Sequence, residues 1–546
     1  MSFQPTGVFL RDAIDTIIRE RYPELRDERL PFVVDIPEDL RFGDSTTNAA
    51  LIVSKRLKQS PREIAQNIIP ALKDDLEQRL PGDVREIRCE GAGFINFYFS
   101  EGFFQRHLLS IVREGAGALR TDLGKGARVL IEFVSANPTG PLSVAHARQA
   151  AVGDILANVF DFAGYDVQRE YYLNDEGNQI NILGRSLALR IKELKGEAVD
   201  FPEDHYQGEY IYDIARAVIE KKLDIEDPAT YAADYILTII KKELEDFGVS
   251  FDTWYSQKAL GAGGAIEKVF EELRTRGYLY DEGNAVWFKS TAFGDDKDRV
   301  VVKSDGSLTY LAPDIAYHKD KFARGFTQLI NLWGPDHHGY INRLKASVAA
   351  LDNDAQALSI VIVQLATIFR EGKPVQMSTR KGQYITLREV LDEVGRDASR
   401  YFFIMRRTSA HLDFDLDVAK KQTSENPVYY VQYAYARIAG ILRAAPGAGR
   451  MDADTSLLKE KEELQLIKKL TQFPSIIEIC VKTLDPYMLT VYLAGVAERF
   501  HKFYDLHRVL GQEEALTQAR LALLDATKTV IAAGLGLIGV SQPEKM

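Results

Sequence analysis

The run Ser135-Ala136-Asn137-Pro138-Thr139-Gly140-Pro141-Leu142-Ser143-Val144-Ala145-His146-Ala147-Arg148 constrains the fold of this chain more than any other stretch. The apolar residues Val129-Leu130-Ile131 and Phe133-Val134 precede it. Ala151, Ile155, Val159 and Phe162 follow at spacings of three or four. That pattern predicts a strand, a tight Pro/Gly loop and a helix. A loop running from the C-terminal end of a strand into a helix N-terminus presents backbone N–H groups and the positive end of the helix dipole to an anion. His146 falls in the first turn of that helix, facing the anion. The run implies a nucleotide-handling α/β enzyme.

A chain of 546 residues is too long for one hydrophobic core and implies three or more domains. Apolar residues make up 46% and charged residues 27%, the balance of a globular protein in water. No apolar run approaches the roughly 18–20 residues that span a bilayer, so no membrane association is expected. The first residues enter an amphipathic pattern (Leu10, Ile14, Ile17, Ile18) with no basic region followed by an apolar block, so no secretory signal is expected. Cys89 and Cys480 lie far apart, which argues for a reduced, cytoplasmic chain without zinc. The net charge of −11, from 68 basic and 79 acidic residues, gives no global support for nucleic-acid binding and leaves local basic faces open.

Residues 1–115 read as a small α+β unit, with helical patterns over 7–21 and 46–72 and strands at Val84–Arg88 and Phe94–Phe99. The string Gly43–Asn48 carries cap-type residues that open a helix, and Glu114–Gly117 reads as a linker. An α/β core is expected over 116–410, starting near Arg128. A charged, mostly helical insertion over about 175–290 interrupts it, and core strands resume at Val300–Lys303, Leu329–Trp333 and Ile360–Leu365. Residues 411–546 read as an all-α bundle, with boundaries at Gly447–Gly449 and Pro474.

Several strings outside the opening run can carry chemistry. Trp333-Gly334-Pro335-Asp336-His337-His338-Gly339 ends an apolar run before a helical pattern. There Gly334 permits close backbone approach and Asp336 or His337 caps the helix. The readings open are a nucleotide and substrate pocket, a divalent-metal site, or a plain cap with a packed histidine. Met377-Ser378-Thr379-Arg380-Lys381-Gly382 suits a loop that closes on phosphates, and equally a solvated basic loop. Glu132, Tyr310 and Asp314 could bind a cation, with a guanidinium the strongest match, or form structural ion pairs. Asp413–Asp417 lacks the glycine a calcium loop needs, Val418 standing in its place, and reads as an alternating strand or turn. Tyr429, Tyr430, Tyr433 and Tyr435 share a helix with Arg437 and Arg443, a set that packs a core or stacks on unpaired bases.

Taken in order, these strings resemble the class I aminoacyl-tRNA synthetases, and the arginyl-tRNA synthetase family in particular. Ser143-Val144-Ala145-His146 resembles the class motif His-Ile-Gly-His, and Gln376-Met377-Ser378-Thr379-Arg380 its Lys-Met-Ser-Lys-Ser loop. Glu132 with Asn137, Tyr171–Gln179, Tyr310–Asp314, Asn426–Ala434 and the ending Leu537–Met546 resemble the arginyl enzymes. The resemblance implies a Rossmann-like catalytic core, an N-terminal domain on the tRNA elbow and a C-terminal bundle on the anticodon. It implies that arginine is activated by ATP, with Mg²⁺, and transferred to tRNA(Arg). By the same resemblance His146 and Ser143 act at the phosphates, with Pro138, Gly140, Gly334, His337 and Met377 around ATP. Asn137 would hold the α-amino group. Glu132, Tyr310 and Asp314 would recognise the guanidinium, with Asp336 beside them. Ser378, Arg380 and Lys381 would serve the closing loop, and Tyr430, Tyr433, Arg437 and Tyr504 the RNA. A monomer that binds no DNA is expected, as is a requirement for tRNA in adenylate formation.

The chain departs from the class pattern at four places. Ser143 and Ala145 replace the first His and the Gly of one motif, while Gln376 and Thr379 replace both lysines of the other. Arg380 and Lys381, and more remotely Lys373, are the nearest cations to compensate. Two other readings follow from these departures: a non-catalytic tRNA-binding relative, and an ATP-dependent ligase joining arginine to a small molecule. The retained pocket set argues against the first, and the intact C-terminal bundle against the second.

Overall fold

The computed structural model describes residues 6–37, 39–375, 384–445 and 450–546. At the amino end the stripe Leu10, Ile14, Ile17 and Ile18 is the buried face of the helix Thr6–Arg21. This helix and Pro61–Arg79 pack beside an antiparallel sheet in the order Val34–Asp35, Ser45–Thr47, Phe94–Phe99, Val84–Glu90. The single helical pattern expected over 46–72 is broken. Ser45–Thr47 is a strand against Ile95–Phe97, because pairing with an apolar neighbour outweighs the cap propensity of its residues. Gly43 makes the close approach possible: it holds φ +96°, and a Cβ there would lie 2.6 Å from the Phe97 carbonyl oxygen. The helix Ala49–Leu57 starts after Asn48, Lys58 turns left-handed, and Pro61 opens the next helix, where its missing N–H leaves no bond unmade. The expected linker after Glu114 winds as a 3-10 turn, Gly115–Leu119.

The centre of the molecule is a five-stranded parallel sheet. Its order is Leu358–Ile362, Gln328–Trp333, Arg128–Glu132, Asp166–Leu173, Thr253–Ser256. The middle strand is buried, with Val129, Leu130 and Ile131 at zero exposure, as expected of a parallel sheet covered on both faces. The chain leaves this strand on one side through the helix Val144–Phe162 and returns on the other with Gln328–Trp333. Strand order therefore reverses at Arg128–Glu132, and such a reversal opens a crevice outside the carboxyl ends of the strands. Register places Asn331, Glu132 and Glu170 side by side on three neighbouring strands, so their side chains share one face of the sheet. Gly153 lets the helix lie directly on the sheet, since a Cβ there would come within 2.2 Å of the Phe133 ring.

Three stretches differ from the sequence expectation. The charged stretch 175–290 contributes helices Asn178–Leu194, Glu209–Glu220 and Pro228–Asp246, but its strand Thr253–Ser256 completes the main sheet. Four residues are too few to show a strand period. Arg299–Val302, expected as a core strand, instead joins an antiparallel sheet with Leu279–Glu282 and Ala285–Phe288, over a separate core that includes Leu273, Phe288 and Ile315. Leu412–Asp415 pairs in parallel with Ala366–Arg370 and so belongs to the central unit, not to the bundle that follows.

That bundle comprises Pro427–Ala444, Lys461–Leu470, Phe473–Thr483, Tyr487–Leu506 and Glu514–Leu537, with Pro474 in a first helical turn. The boundary expected at Gly447–Gly449 lies outside the described residues. Among the described residues no helix is long and apolar enough to cross a membrane.

Candidate functional site

The site is built where the central strand ends. Beyond Glu132 the backbone turns with Val134 at φ +67° and Ser135 at φ +39°. Each such non-glycine residue costs of order 1–3 kcal/mol and persists only when its surroundings hold it. The hold is visible: Tyr171 Oη donates to the Ala136 carbonyl at 2.8 Å, and Ser135 Oγ accepts from the Tyr172 N–H at 3.1 Å and donates to Glu132 at 3.0 Å. Farther along, Tyr210 Oη donates to Thr139 O at 2.7 Å and Tyr384 Oη to Pro141 O at 3.2 Å. A Cβ on Gly140 would meet both phenol oxygens at 3.2–3.3 Å. Leu387 N–H bonds Leu142 O and Val144 N–H bonds Ile385 O, lacing the segment 384–387 to this loop. Asn137, Gly140, Ser143 and His146 line one side of an open cavity of about 630 Å³, a volume that suits a nucleotide. Pro138 is buried beneath it.

Ser143 is the N-cap of Val144–Phe162, and its backbone N–H donates to His146 Nδ1 at 3.2 Å. Acceptance at Nδ1 places the imidazole proton on Nε2. Burial pushes the His146 pKa down to about 4, against a smaller pull upward from Asp336. His146 is therefore a neutral Nε2–H donor at the start of a helix whose dipole already favours an anion. Gly334 caps the 3-10 turn Pro335–Tyr340, and the following helix Ile341–Ala350 begins after Tyr340. Asp336 and His337 do not cap that helix, contrary to expectation. They lie 79% and 58% exposed, 3.5 Å from each other.

Below the loop, the face shared by Asn331, Glu132 and Glu170 meets the helix Leu311–Ala323 and the residue after it. Lys321 Nζ bonds Glu132 at 2.5 Å and Asn331 at 3.1 Å. Asn331 bonds His318 at 2.8 Å, and His318 Nδ1 bonds the Asp314 carbonyl at 2.8 Å. Arg324 makes a two-point contact with Glu170 at 2.6 and 2.9 Å, and Tyr317 Oη adds a third bond. The Asp314 carboxylate accepts from Tyr340 Oη at 2.6 Å. Burial raises the Asp314 pKa to about 6, with Tyr340 lowering it, Glu132 raising it and Lys321 lowering it in turn. Asn137 Nδ2 donates to Gln179 at 2.6 Å, which fixes the orientation of the Asn137 amide.

The structure thus brings Glu132 and Asp314 into one network. Tyr310 stands apart at the helix start, 70% exposed. Met377, Ser378, Arg380 and Lys381 lie outside the described residues. On the bundle, Arg437 bonds Tyr433 Oη at 2.8 Å and its guanidinium lies 4.8 and 4.7 Å from the Tyr433 and Tyr504 rings. The Tyr430 ring joins this group through His501, 4.8 Å away. Sequence reasoning missed Lys321, His318, Asn331 and Tyr340. Two signals were available: the helical spacing of Asp314, His318 and Lys321, and the polar Asn331 inside an apolar strand.

Known proteins supply the remaining comparison. Residues 9–99 match the family described as arginyl tRNA synthetase N terminal domain. Residues 109–409 match tRNA synthetases class I (R), catalytic domain, and 431–546 match the DALR anticodon binding domain. The arginine–tRNA ligase of Desulforamulus reducens is 46% identical over 94% of this chain and 93% of its own. That of Desulfosudis oleivorans is 45% identical over 99% and 98%. The solved arginyl-tRNA synthetase of Thermus thermophilus shares the fold, with a TM-score of 0.79 at 21% identity, covering 99% of this chain and all of that one.

Proposed function

This chain belongs to the arginyl-tRNA synthetase family, and from that premise we propose how its residues divide the work of an ATP-dependent arginine–tRNA ligase. In the reaction, the arginine carboxylate attacks the α-phosphorus of ATP. The bond to the bridging oxygen breaks, pyrophosphate leaves, and arginyl-adenylate forms. The terminal ribose hydroxyl of tRNA(Arg) then attacks the arginyl carbonyl and loses its proton as AMP departs. The protein contributes positioning and electrostatics.

His146 donates Nε2–H to the phosphates, assisted by the backbone of Pro138–Gly140 and the helix terminus that Ser143 caps. Gly334, Asp336 and His337 contact the adenosine and the amino-acid backbone. Asn137, oriented by Gln179, accepts from the α-ammonium group. Asp314 takes the guanidinium and Glu132 stands behind it, while Tyr310, exposed at the helix start, would reach it only by turning inward. Mg²⁺ would accompany the ATP phosphates. Tyr430, Tyr433, Arg437 and Tyr504 stack on unpaired bases of tRNA, while the N-terminal unit contacts its elbow. The protein works as a cytoplasmic monomer.

One observation carries this reading. Asp314, a carboxylate with no ion-pair partner among the described residues, belongs to a network that reaches through Lys321, Glu132 and Ser135 to the loop leading into the helix N-terminus at Ser143. That arrangement suits the adenylate of a cationic amino acid. The test is arginine-dependent ATP–pyrophosphate exchange with and without total tRNA, exchange being expected only with tRNA. Exchange without tRNA would remove the tRNA requirement. Its absence in both conditions, with tRNA still bound, would overturn catalysis and leave a tRNA-binding protein.

A further inference from the structure

Besides Asp175 and Glu176, which bear more weakly on Tyr172 and accept hydrogen bonds from Ser256 and Gln257, three carboxylates, Glu132, Glu170 and Asp314, act on the stacked rings of Tyr172 and Tyr317. Two of them have cations of their own. Glu170 has the two-point contact from Arg324. Glu132 has Lys321, whose side chain is fully buried, whose Nζ also bonds Asn331, and whose ammonium lies 4.2 Å from the Tyr317 ring. The second oxygen of Glu132 accepts from Ser135. Asp314 differs. Its partner is the neutral phenol of Tyr340, and among the described residues no cation lies at ion-pair distance from it. Among the described residues, five groups bear on its charge or its backbone. Tyr340 faces it from the 3-10 turn, Glu132 from the central strand, Tyr172 from the next strand, and Lys321 and His318 from its own helix. Burial and Lys321 keep His318 neutral.

We propose that Lys321 is a positioning residue for the amino-acid substrate: by neutralising Glu132 it leaves Asp314 as the one of these three carboxylates without an ion-pair partner, and matches the pocket to a side chain carrying a single positive charge. Without the ammonium, Glu132 and Asp314 would be two carboxylates competing for one guanidinium and opposing each other's ionisation. With it, the guanidinium has one ionic partner and one orientation, set by the helix that carries both Asp314 and Lys321. This inference rests on the reading of Asp314 as the guanidinium acceptor.

The experiment uses the full-length protein with tRNA present, and measures kcat and KM for arginine in pyrophosphate exchange across pH. In the unaltered protein KM rises as pH falls through about 6, where Asp314 takes up a proton. Lys321→Met is expected to raise KM by at least about tenfold, to lower kcat less, and to move this acid limb to higher pH, because a neighbouring positive charge is lost. Glu132→Gln also raises KM, since it leaves Lys321 unpaired against the incoming guanidinium. The double variant Lys321→Met/Glu132→Gln restores the charge count and brings KM back to within about threefold of the unaltered protein, a coupling that two independent packing losses would not give. A double variant no better than the worse single variant overturns the proposal, as does an unmoved acid limb in Lys321→Met. If the single Lys321 variant fails to fold, Glu132→Gln and the double variant still decide the matter. Asp314→Asn separates the two readings. An unchanged arginine KM in that variant would remove the parent assignment, whereas a large loss there beside a flat Lys321 series would remove only this inference.

Discussion

At His146 burial outweighs the attraction of Asp336, so the imidazole is neutral, and in the proposed reaction it meets the phosphates as a neutral donor. Removing one such donor to developing charge typically costs 10²–10³ in rate. His146→Ala is therefore expected to lower kcat for pyrophosphate exchange by about 10²-fold or more, with little change in KM for arginine. Asp314 behaves in the opposite sense. Its pKa is about 6 in the fold against about 3.9 for an unfolded aspartate, so its contribution to stability is fully present below about pH 4 and is lost as pH rises through 6. A bound guanidinium favours the carboxylate and reverses that loss. Arginine should raise the melting temperature more at about pH 7.5 than at about pH 5, and equal shifts at the two values would remove Asp314 from the pocket. At this scale Glu132, Asn137 and Asp314 were legible because they flank a loop or a helix start, where polar residues stand out. Lys321 and Asn331 were not, because a single polar residue inside an apolar pattern reads the same whether it faces solvent or a buried partner.

The helix Val144–Phe162 lies flat on the sheet because Gly153 has no side chain, and no rotamer of the buried Phe133 clears a Cβ at 2.2 Å without repacking. Gly153→Val should destabilise the protein by about 1–3 kcal/mol, read by thermal or denaturant melting, and should lower activity by displacing His146 at the helix start. On the bundle, the helix Pro427–Ala444 presents Arg437 between two tyrosine rings. Arg437→Ala is expected to raise KM for tRNA severalfold while leaving KM for arginine and ATP unchanged, and a rise in all three would mark a structural role. The strand, loop and helix around residues 128–162 were readable because each has a strong period and a Pro/Gly break. The error over 46–72 came from Ser45–Thr47, whose residues suit a helix cap equally well and whose strand exists only through pairing with Phe94–Phe99.

Across the whole molecule, Arg400 joins the central unit to the end of the chain. It is fully buried, pairs with Asp154 on the helix Val144–Phe162 at 2.5 Å, and donates to the Ile538 carbonyl at 2.7 Å and to Phe247 and Gly248. Gly539 is pressed against its guanidinium, where a Cβ would come within 2.3 Å. Arg400→Met leaves a buried carboxylate with only the more distant Arg169, at 3.4 Å, and should cost about 3–5 kcal/mol in a melting experiment. A loss below about 1 kcal/mol would show that the Arg400 network contributes little to holding the two parts together. The sequence by itself determined the α/β core, the helical bundle and the loop between the central strand and the helix Val144–Phe162, because these depend on local period, turn residues and motif order within short windows. Only the tertiary structure decided that Thr253–Ser256 closes the main sheet while Arg299–Val302 does not, that Glu132 is already paired with Lys321, and that Arg400 reaches the chain's end. Strand partners and buried ion pairs are set by which surfaces meet across hundreds of residues, and no local pattern encodes that meeting.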